Sequence, residues 1–475
     1  MDLNVHRNHS RKPPQVKSSK AEIRAAFHKI PRIRFQTGQT FTSYSGLVIF
    51  QALFAKMALK DKIRRCVSAG RKHVIYGPAS CLMTVLLLLL LGFRRLRDLD
   101  YCREDPMLER ILGLRRLPDV STVSRHLARL DQSELSELRE RCIRDPVLER
   151  LEAEGFARVT LDFDGMVQTT QGHAEGTAVG YNRRRKGARS YYPQFCTVAQ
   201  TDQFFDMLHR PGNVHDSNGA DDFMAACFWH VGQRLPGVQL ESRFDAAMFS
   251  EVVFLTMEEH DVEFTCSVPF ARFPQLKRLI EDCEQWRDID QTWSYFETHW
   301  KPKSWAQSYR VILVRKRRPV RRRGPLQLDL FVPLDYEYEY TAIATNKTTT
   351  ASNVVEFHHG RGSQEKLFGE ANQHAALNVI AGKRLSTNQA FTLTSMLAHN
   401  LSRELQMATQ EPQRPTLPSR APRWPFLSLG TLRQRFLHRA GKLARPQGQL
   451  TLTMNANPTV EAELRAYLEP LTSPP

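Results

Sequence analysis

Three carboxylates stand out by residue type and by position along the chain: Asp164, Asp245 and Glu365. Asp164 closes the apolar alternating run RVTLDFDG from Arg158, and Asp245 closes VQLESRFD from Val238. Glu365 lies just inside a helix expected to open at HHGRGSQE from His358, with Ser363 as its cap. Acids at two strand ends and in the first turn of a helix, where the macrodipole favours negative charge, suit a pair of divalent cations. Such a pair activates a water and stabilises the leaving oxygen in phosphodiester cleavage. Mg²⁺ or Mn²⁺ prefers carboxylate oxygen and retains several waters, so few protein ligands suffice. Asp162 sits two residues before Asp164 on the same strand face and is an alternative ligand. Asp164 is favoured because it borders Gly165 at the strand's end, where ligands of open sheets gather. A lone strand-end aspartate is ordinarily a helix cap; three acids in these settings point to metal-assisted cutting of nucleic acid.

The groups around them are basic. Arg361 precedes the glutamate helix and has the fork geometry for a bidentate grip on phosphate. Asn372 lies two helical turns beyond Glu365 on the same face. A Gly- and Arg-rich loop carries Tyr181, Arg183, Arg184, Arg185 and Lys186. Its cations would position phosphates and its tyrosine would stack on an unpaired base, the plain alternative being a solvated charge run. In LPDVSTVSRHLARL, Ser121 is a candidate cap for an amphipathic helix bearing Arg125, His126 and Arg129. That helix is either a groove-reading element or an ordinary surface helix. Trp286, Trp293, Trp300 and Trp305 offer faces for a flipped base, against the simpler role of core packing.

Composition agrees with a polyanionic partner. Lys and Arg number 67 against 50 acids, a formal charge of +17, and such a surface binds nucleic acid by releasing condensed counterions. With no lipidation motif and no long basic amphipathic helix, a membrane is not an expected partner. The 8 cysteines form no CxxC pair, which argues against a zinc ribbon and fits reduced thiols in a cytoplasmic protein. The polar, basic N-terminus lacks the apolar core of a secretory signal. The apolar run CLMTVLLLLLL from Cys81 is far short of the roughly 20 residues a bilayer requires, and reads as a buried core helix. Without GxxxxGK[ST], GxSxG or HExxH, the chain offers no basis for nucleotide hydrolysis, a serine elbow or a zinc protease.

Length favours several domains. A disordered basic arm is expected over 1–20, an all-helical DNA-end-binding domain over 21–152, and the first part of a mixed α/β core over 153–261. A β-rich insertion over 262–350 includes the period-two run YEYEYTAIAT and interrupts the sheet. The core resumes over 351–410 with the glutamate helix, and a basic tail fills 411–475. Within the core, periodicity predicts three strands, a helix, a strand and a helix, the order of a mixed sheet with a crossover.

Taken in order, TSYSGLVIFQALF, LPDVSTVSRHL, LDFDG, AEGTAVGYN, RPGNVHDSNGA, SRFDAAMFS and HHGRGSQEKLFGE resemble a DDE transposase of a bacterial insertion sequence. The resemblance runs from about Thr42 to Met407. It is to the branch whose ribonuclease H-like core, with flanking helices, is split by a β-rich insertion before the glutamate. It implies that Asp164, Asp245 and Glu365 bind two Mg²⁺ or Mn²⁺ ions. Water would attack the phosphodiester at the element's end, and the freed 3′-hydroxyl would then attack target DNA, each by in-line displacement. It further implies a homodimer holding two terminal inverted repeats, acting in the cytoplasm and on the nucleoid when bound to DNA. In the branch's Tyr-x₂-Arg-x₃-Glu-x₆-Lys signature, Arg361 and Glu365 match, while His358 and Asn372 take the tyrosine and lysine positions in contacting DNA. Met166 replaces the small hydroxyl residue common after the first aspartate. The departures at His358 and Asn372 motivate one rival reading, a decayed transposase that binds DNA without cutting; a second rival is a metal nuclease that never joins strands.

Overall fold

A helix apolar on every side is stable only where protein surrounds it. The leucine run becomes such a helix, α1 (Pro78–Leu91), buried everywhere except Ser80. It ends at Gly92, whose φ of 93° lies in the left-handed region that glycine enters without a Cβ clash. Two of its terminal carbonyls, on Leu89 and Leu90, accept from the guanidinium of Arg433 in the C-terminal part of the chain. The computed structural model describes residues 40–67, 75–180, 182, 184–319, 336–416 and 421–473. The expected basic arm therefore lies outside the described residues. No single helix among those described is long and apolar enough to cross a membrane.

Helix α2 (Val120–Ala128) packs beside α1 and starts after Asp119, two residues earlier than a Ser121 cap implies. The C-terminal segment, expected as a basic tail, is folded onto these helices. Strands Gly441–Ala444 and Thr451–Met454 form a sheet with Phe41–Thr42, and helix Pro458–Thr472 lies against Val48–Lys56. One apolar core runs through all of them, joining Leu47 and Leu86 to Leu432 and Phe436.

The mixed sheet forms as periodicity predicts. Five consecutive buried residues, Val159 to Phe163, make β1 (Arg158–Gly165) a central strand covered on both faces. Antiparallel β2 (Gln194–Val198) and then β3 (Gln203–Leu208) flank it on one side. Helix α3 (Ala220–Arg234) crosses over to β4 (Gln239–Phe244), which pairs parallel with β1. Helix α4 (Glu251–Glu259) then leads to β5 (Glu263–Ser267), parallel to β4. The resulting order β5-β4-β1-β2-β3, with only β2 reversed, is ribonuclease H-like.

The segment expected to interrupt this sheet extends it instead. Strands β6 (Trp293–Trp300), β7 (Tyr309–Pro319) and β8 (Tyr336–Thr345) form an antiparallel meander, and β8 pairs with β5 through Thr345 and Thr265. The run VEFTCSV, grouped by sequence with the insertion, is β5 and completes the five-stranded core. An edge strand exposes a row of unpaired N–H and C=O groups; the meander covers the one that β5 would present.

Helices α5 (Ala351–His359), α6 (Gly362–His374) and α7 (Leu385–Met407) follow. The docking of α5 and α6 centres on a buried ion pair. Asp162 of β1 and Arg243 of β4 are register partners, joined by two hydrogen bonds of 2.7 and 2.6 Å. The remaining Arg243 nitrogen donates to Phe357 O of α5 at 3.1 Å. Gln364 of α6 donates to Asp162 O at 2.9 Å and to Thr197 Oγ1 of β2 at 3.0 Å. At Gly360 between α5 and α6, a Cβ would lie 2.1 Å from Arg243 Nη1, so the close approach requires glycine. Asp162, an alternative metal ligand by sequence, is thus committed elsewhere: its carboxylate is 1% exposed and both oxygens are held by Arg243. Removing one partner of a buried pair strands the other charge. Arg243→Met is expected to lower the unfolding free energy by about 3–5 kcal/mol, and Asp162→Leu with Arg243→Met by much less. Urea titration distinguishes the two; equal losses would mean that the pair is not a buried charge couple.

Candidate active site

Asp164 and Asp245 come together because their strands are adjacent and parallel. Asp164 is the penultimate residue of β1, and Asp245 directly follows β4. Asp245 Oδ1 accepts from Ala247 N at 3.0 Å, a cap that fixes its rotamer at the strand's end. Asp164 Oδ1 accepts from Gly165 N at 2.8 Å. Burial first, and then the charge of Asp245, push the Asp164 carboxyl from 3.8 up to about 7, against the pull of Arg361. A buried acid whose pKa is raised by a neighbouring acid marks a site that a cation stabilises. The donor set, carboxylate oxygen, suits a hard divalent ion.

Glu365 stands apart from them. Helix α6 begins at Gly362, so Ser363 lies within the helix and its hydroxyl donates to Gly360 O rather than capping. Glu365 falls in the first turn as expected, but its side chain is 71% exposed. Arg361 stands between the acids, 3.4 Å from Asp164 Oδ2 and 3.7 Å from Glu365 Oε1. Among the described residues, no three His, Cys, Asp or Glu side chains gather closely enough to hold a metal ion. The two aspartates converge; the glutamate is tied to them through a guanidinium.

Of the three acids, Asp245 opens onto a cleft of about 990 Å³. Asp245, Arg184, Arg185 and Asn372 line it, so the basic loop and the far end of α6 face the carboxylates. Lys186 is exposed beside them, while Tyr181 and Arg183 lie outside the described residues. Arg125 and Arg129 are exposed on and just after α2, and neither lines the cleft. His358, assigned by sequence to DNA contact, is buried instead. Its ring nitrogens lie 3.0 Å from Thr265 Oγ1 and 2.8 Å from Ser267 Oγ, and burial pushes its pKa down to about 3. A neutral imidazole locked between α5 and β5 cannot reach a phosphate. The four tryptophans are half-buried against neighbouring side chains, as where Trp305 stacks on Phe249 at 4.7 Å.

Sequence reasoning singled out neither Tyr192 nor Asp216, both of which line the same cleft. Asp216 lies in RPGNVHDSNGA, a stretch whose loop-forming residues gave no hint that it folds back over β1. Gly165 is the local trace of that contact, since a Cβ there would lie 2.7 Å from Asp216 Oδ1 and from Tyr192 Cζ.

Comparison with known proteins places the chain. A family model described as transposase DDE domain group 1 matches residues 26–474. No curated protein matches. Among solved structures, the chain is similar to the piggyBac transposase synaptic complex with hairpin DNA, with TM-score 0.40, 10% identity and 75% of each chain covered. It is also similar to the Mos1 transposase paired-end complex with left transposon end, with TM-score 0.18 and 12% identity. That match covers 41% of this chain and 60% of the other. The family match extends over nearly the whole chain, from the helical part through the strand-end aspartates to the C-terminal helix, and on it the chain is a DDE transposase, a member of the transposase DDE domain group 1 family.

Proposed function

We propose that Asp164, Asp245 and Glu365 are the catalytic acids and that the enzyme cuts and joins DNA at the terminal inverted repeats of its element, working as a homodimer. The observation that carries this reading is the pairing of Asp164 with Asp245 at adjacent parallel strand ends, where Asp245 lines a cleft shared with Arg184 and Arg185. Two Mg²⁺ or Mn²⁺ ions, when bound by the three acids, supply Lewis-acid activation of the attacking water or 3′-hydroxyl and stabilisation of the leaving oxygen. The protein's own work is placement. The strand ends hold the two aspartates; α6 sets Glu365 against Arg361, which also contacts Asp164. Arg361 neutralises Asp164 and Glu365 in the resting protein, and its fork is freed for a phosphate when the glutamate turns inward. Arg184 and Arg185 hold the DNA backbone across the cleft. Asn372, where the related signature has lysine, offers an amide in place of a charge, so phosphate binding there rests on hydrogen bonding alone.

Asp245→Asn and Glu365→Gln are each expected to abolish nicking at the repeat boundary while leaving DNA binding largely intact. Denaturing gels with Mg²⁺ or EDTA read the first effect, and a mobility shift reads the second. Undiminished nicking by either variant would remove that acid from the site. Binding without nicks in the unmutated protein would favour the decayed reading, and nicks without strand-transfer products the nuclease reading. Replacing Arg184 and Arg185 by alanine should weaken binding to all DNA sequences alike and reduce the salt slope by about 1 per arginine. A change in sequence preference instead would assign them to base reading.

Asp164 also gives a pH signature. Its carboxyl is raised from 3.8 to about 7 on folding, so the folded state holds the extra proton and is favoured at low pH. That stability is fully present below about pH 4 and is lost as pH rises through 7. In metal-free protein, Asp164→Asn should therefore be the more stable form at pH 8, on the order of 1–3 kcal/mol, with the difference vanishing near pH 4. Thermal melts across that range measure it; a less stable variant at pH 8 would contradict the buried acid pair.

A further inference from the structure

We propose that Asp216 is a fourth carboxylate of this site: a positioning residue that, held by Tyr192, orients the hydration shell of a divalent cation bound by Asp164 and Asp245. The inference rests on the metal-binding reading above. It starts from the loop between β3 and α3, which is held by one arginine. The buried Arg210 guanidinium donates to the carbonyls of His215, Asp216 and Asn218 at 3.2, 3.2 and 3.0 Å, and to Tyr192 O at 3.3 Å. Those bonds fold the loop back over the end of β1. There the Tyr192 hydroxyl donates to Asp216 Oδ2 at 2.9 Å.

The other oxygen is the informative one. Asp216 is 8% exposed, and its Oδ1 is buried with no hydrogen-bond donor. Arg210 Nη2, at 3.7 Å, makes an ion-pair contact with Oδ1 but no hydrogen bond, its neighbouring nitrogens being committed to carbonyls. A buried carboxylate oxygen without a donor is costly, and water held by a cation is a donor that would satisfy it. Oδ1 lies against Gly165, next to Asp164, and Asp216 lines the cleft with Asp245. The charges of Asp164 and Asp245 both act on Tyr192, and that of Asp245 on Asp216, so the three acids share one field. A third acid adds to the repulsion in that field and makes sense where a cation and its waters supply the missing donors. Mg²⁺ and Mn²⁺ keep several waters when bound, and a carboxylate beyond the direct ligands orients them.

The test is Mn²⁺ binding to the full chain without DNA, followed by electron paramagnetic resonance of free Mn²⁺ and by calorimetry. The unmutated protein should bind Mn²⁺, and Asp164→Asn should lose that binding. Asp216→Asn is expected to weaken it by roughly 10-fold or more. Tyr192→Phe, which removes one hydroxyl and keeps the ring, should weaken it by a smaller factor without lowering the melting temperature of the metal-free protein. Wild-type affinity in both Asp216→Asn and Tyr192→Phe, with Asp164→Asn still impaired, would overturn this inference alone. Failure of the unmutated protein to bind Mn²⁺, or unimpaired binding by Asp164→Asn, would overturn the metal-site reading and this inference with it.

Discussion

The Asp162–Arg243 pair joins every element that carries an acid of the proposed triad. It links β1 to β4, whose ends present Asp164 and Asp245. Through Phe357 O it fixes α5, and through Asp162 O and Gln364 it fixes the first turn of α6, where Glu365 begins. Hydrogen bonds between a fully buried carboxylate and guanidinium are charge-assisted and tolerate little displacement. Neither charge has water to fall back on, so the elements bonded to them cannot drift independently. Gly360 shows how tight this junction is, because the helices turn where no side chain fits beside the guanidinium.

Around that rigid centre the electrostatics divide in two. The chain is strongly basic, yet Asp164, Asp245 and Asp216 are concentrated at one strand end, where burial raises the pKa of Asp164 and Asp216. Negative charge inside a positive surface repels itself and attracts small cations, while the surrounding Arg184 and Arg185 attract DNA. Arg361, in contact with both Asp164 and Glu365, mediates between the two regimes.

The remaining mass gives this centre a frame. The N-terminal helices and the C-terminal segment share one core that also takes in Phe195 and Phe204 of the sheet and Leu367 of α6. A helix as uniformly apolar as α1 needs that enclosure, and Arg433 seals its end. On the other side, the β6–β8 meander lengthens the sheet and leaves the α5–α6 junction free to approach β4.

By itself the sequence determined the strand and helix order of the core, because period-two runs and amphipathic stretches follow from which faces must be buried. It also set Asp164 and Asp245 at strand ends, since each closes an apolar run before a glycine or a capped turn. The folded leucine helix was equally legible, being too apolar for a surface and too short for a bilayer. Long-range pairing was not. Nothing local distinguishes Asp162 from Asp164, two acids on one face of one strand. Only the parallel register that sets Arg243 opposite Asp162 makes one structural and leaves the other at the strand's end beside Asp245. His358 went the same way, buried by β5 although it precedes a cationic motif. Asp216 was hidden because its loop has no periodicity, and what places it is a contact with Gly165 some fifty residues earlier in the chain. Hydrophobic period is a property of neighbouring residues and can be read from them; the partner of a buried charge depends on which strands lie side by side, and only tertiary structure decides that.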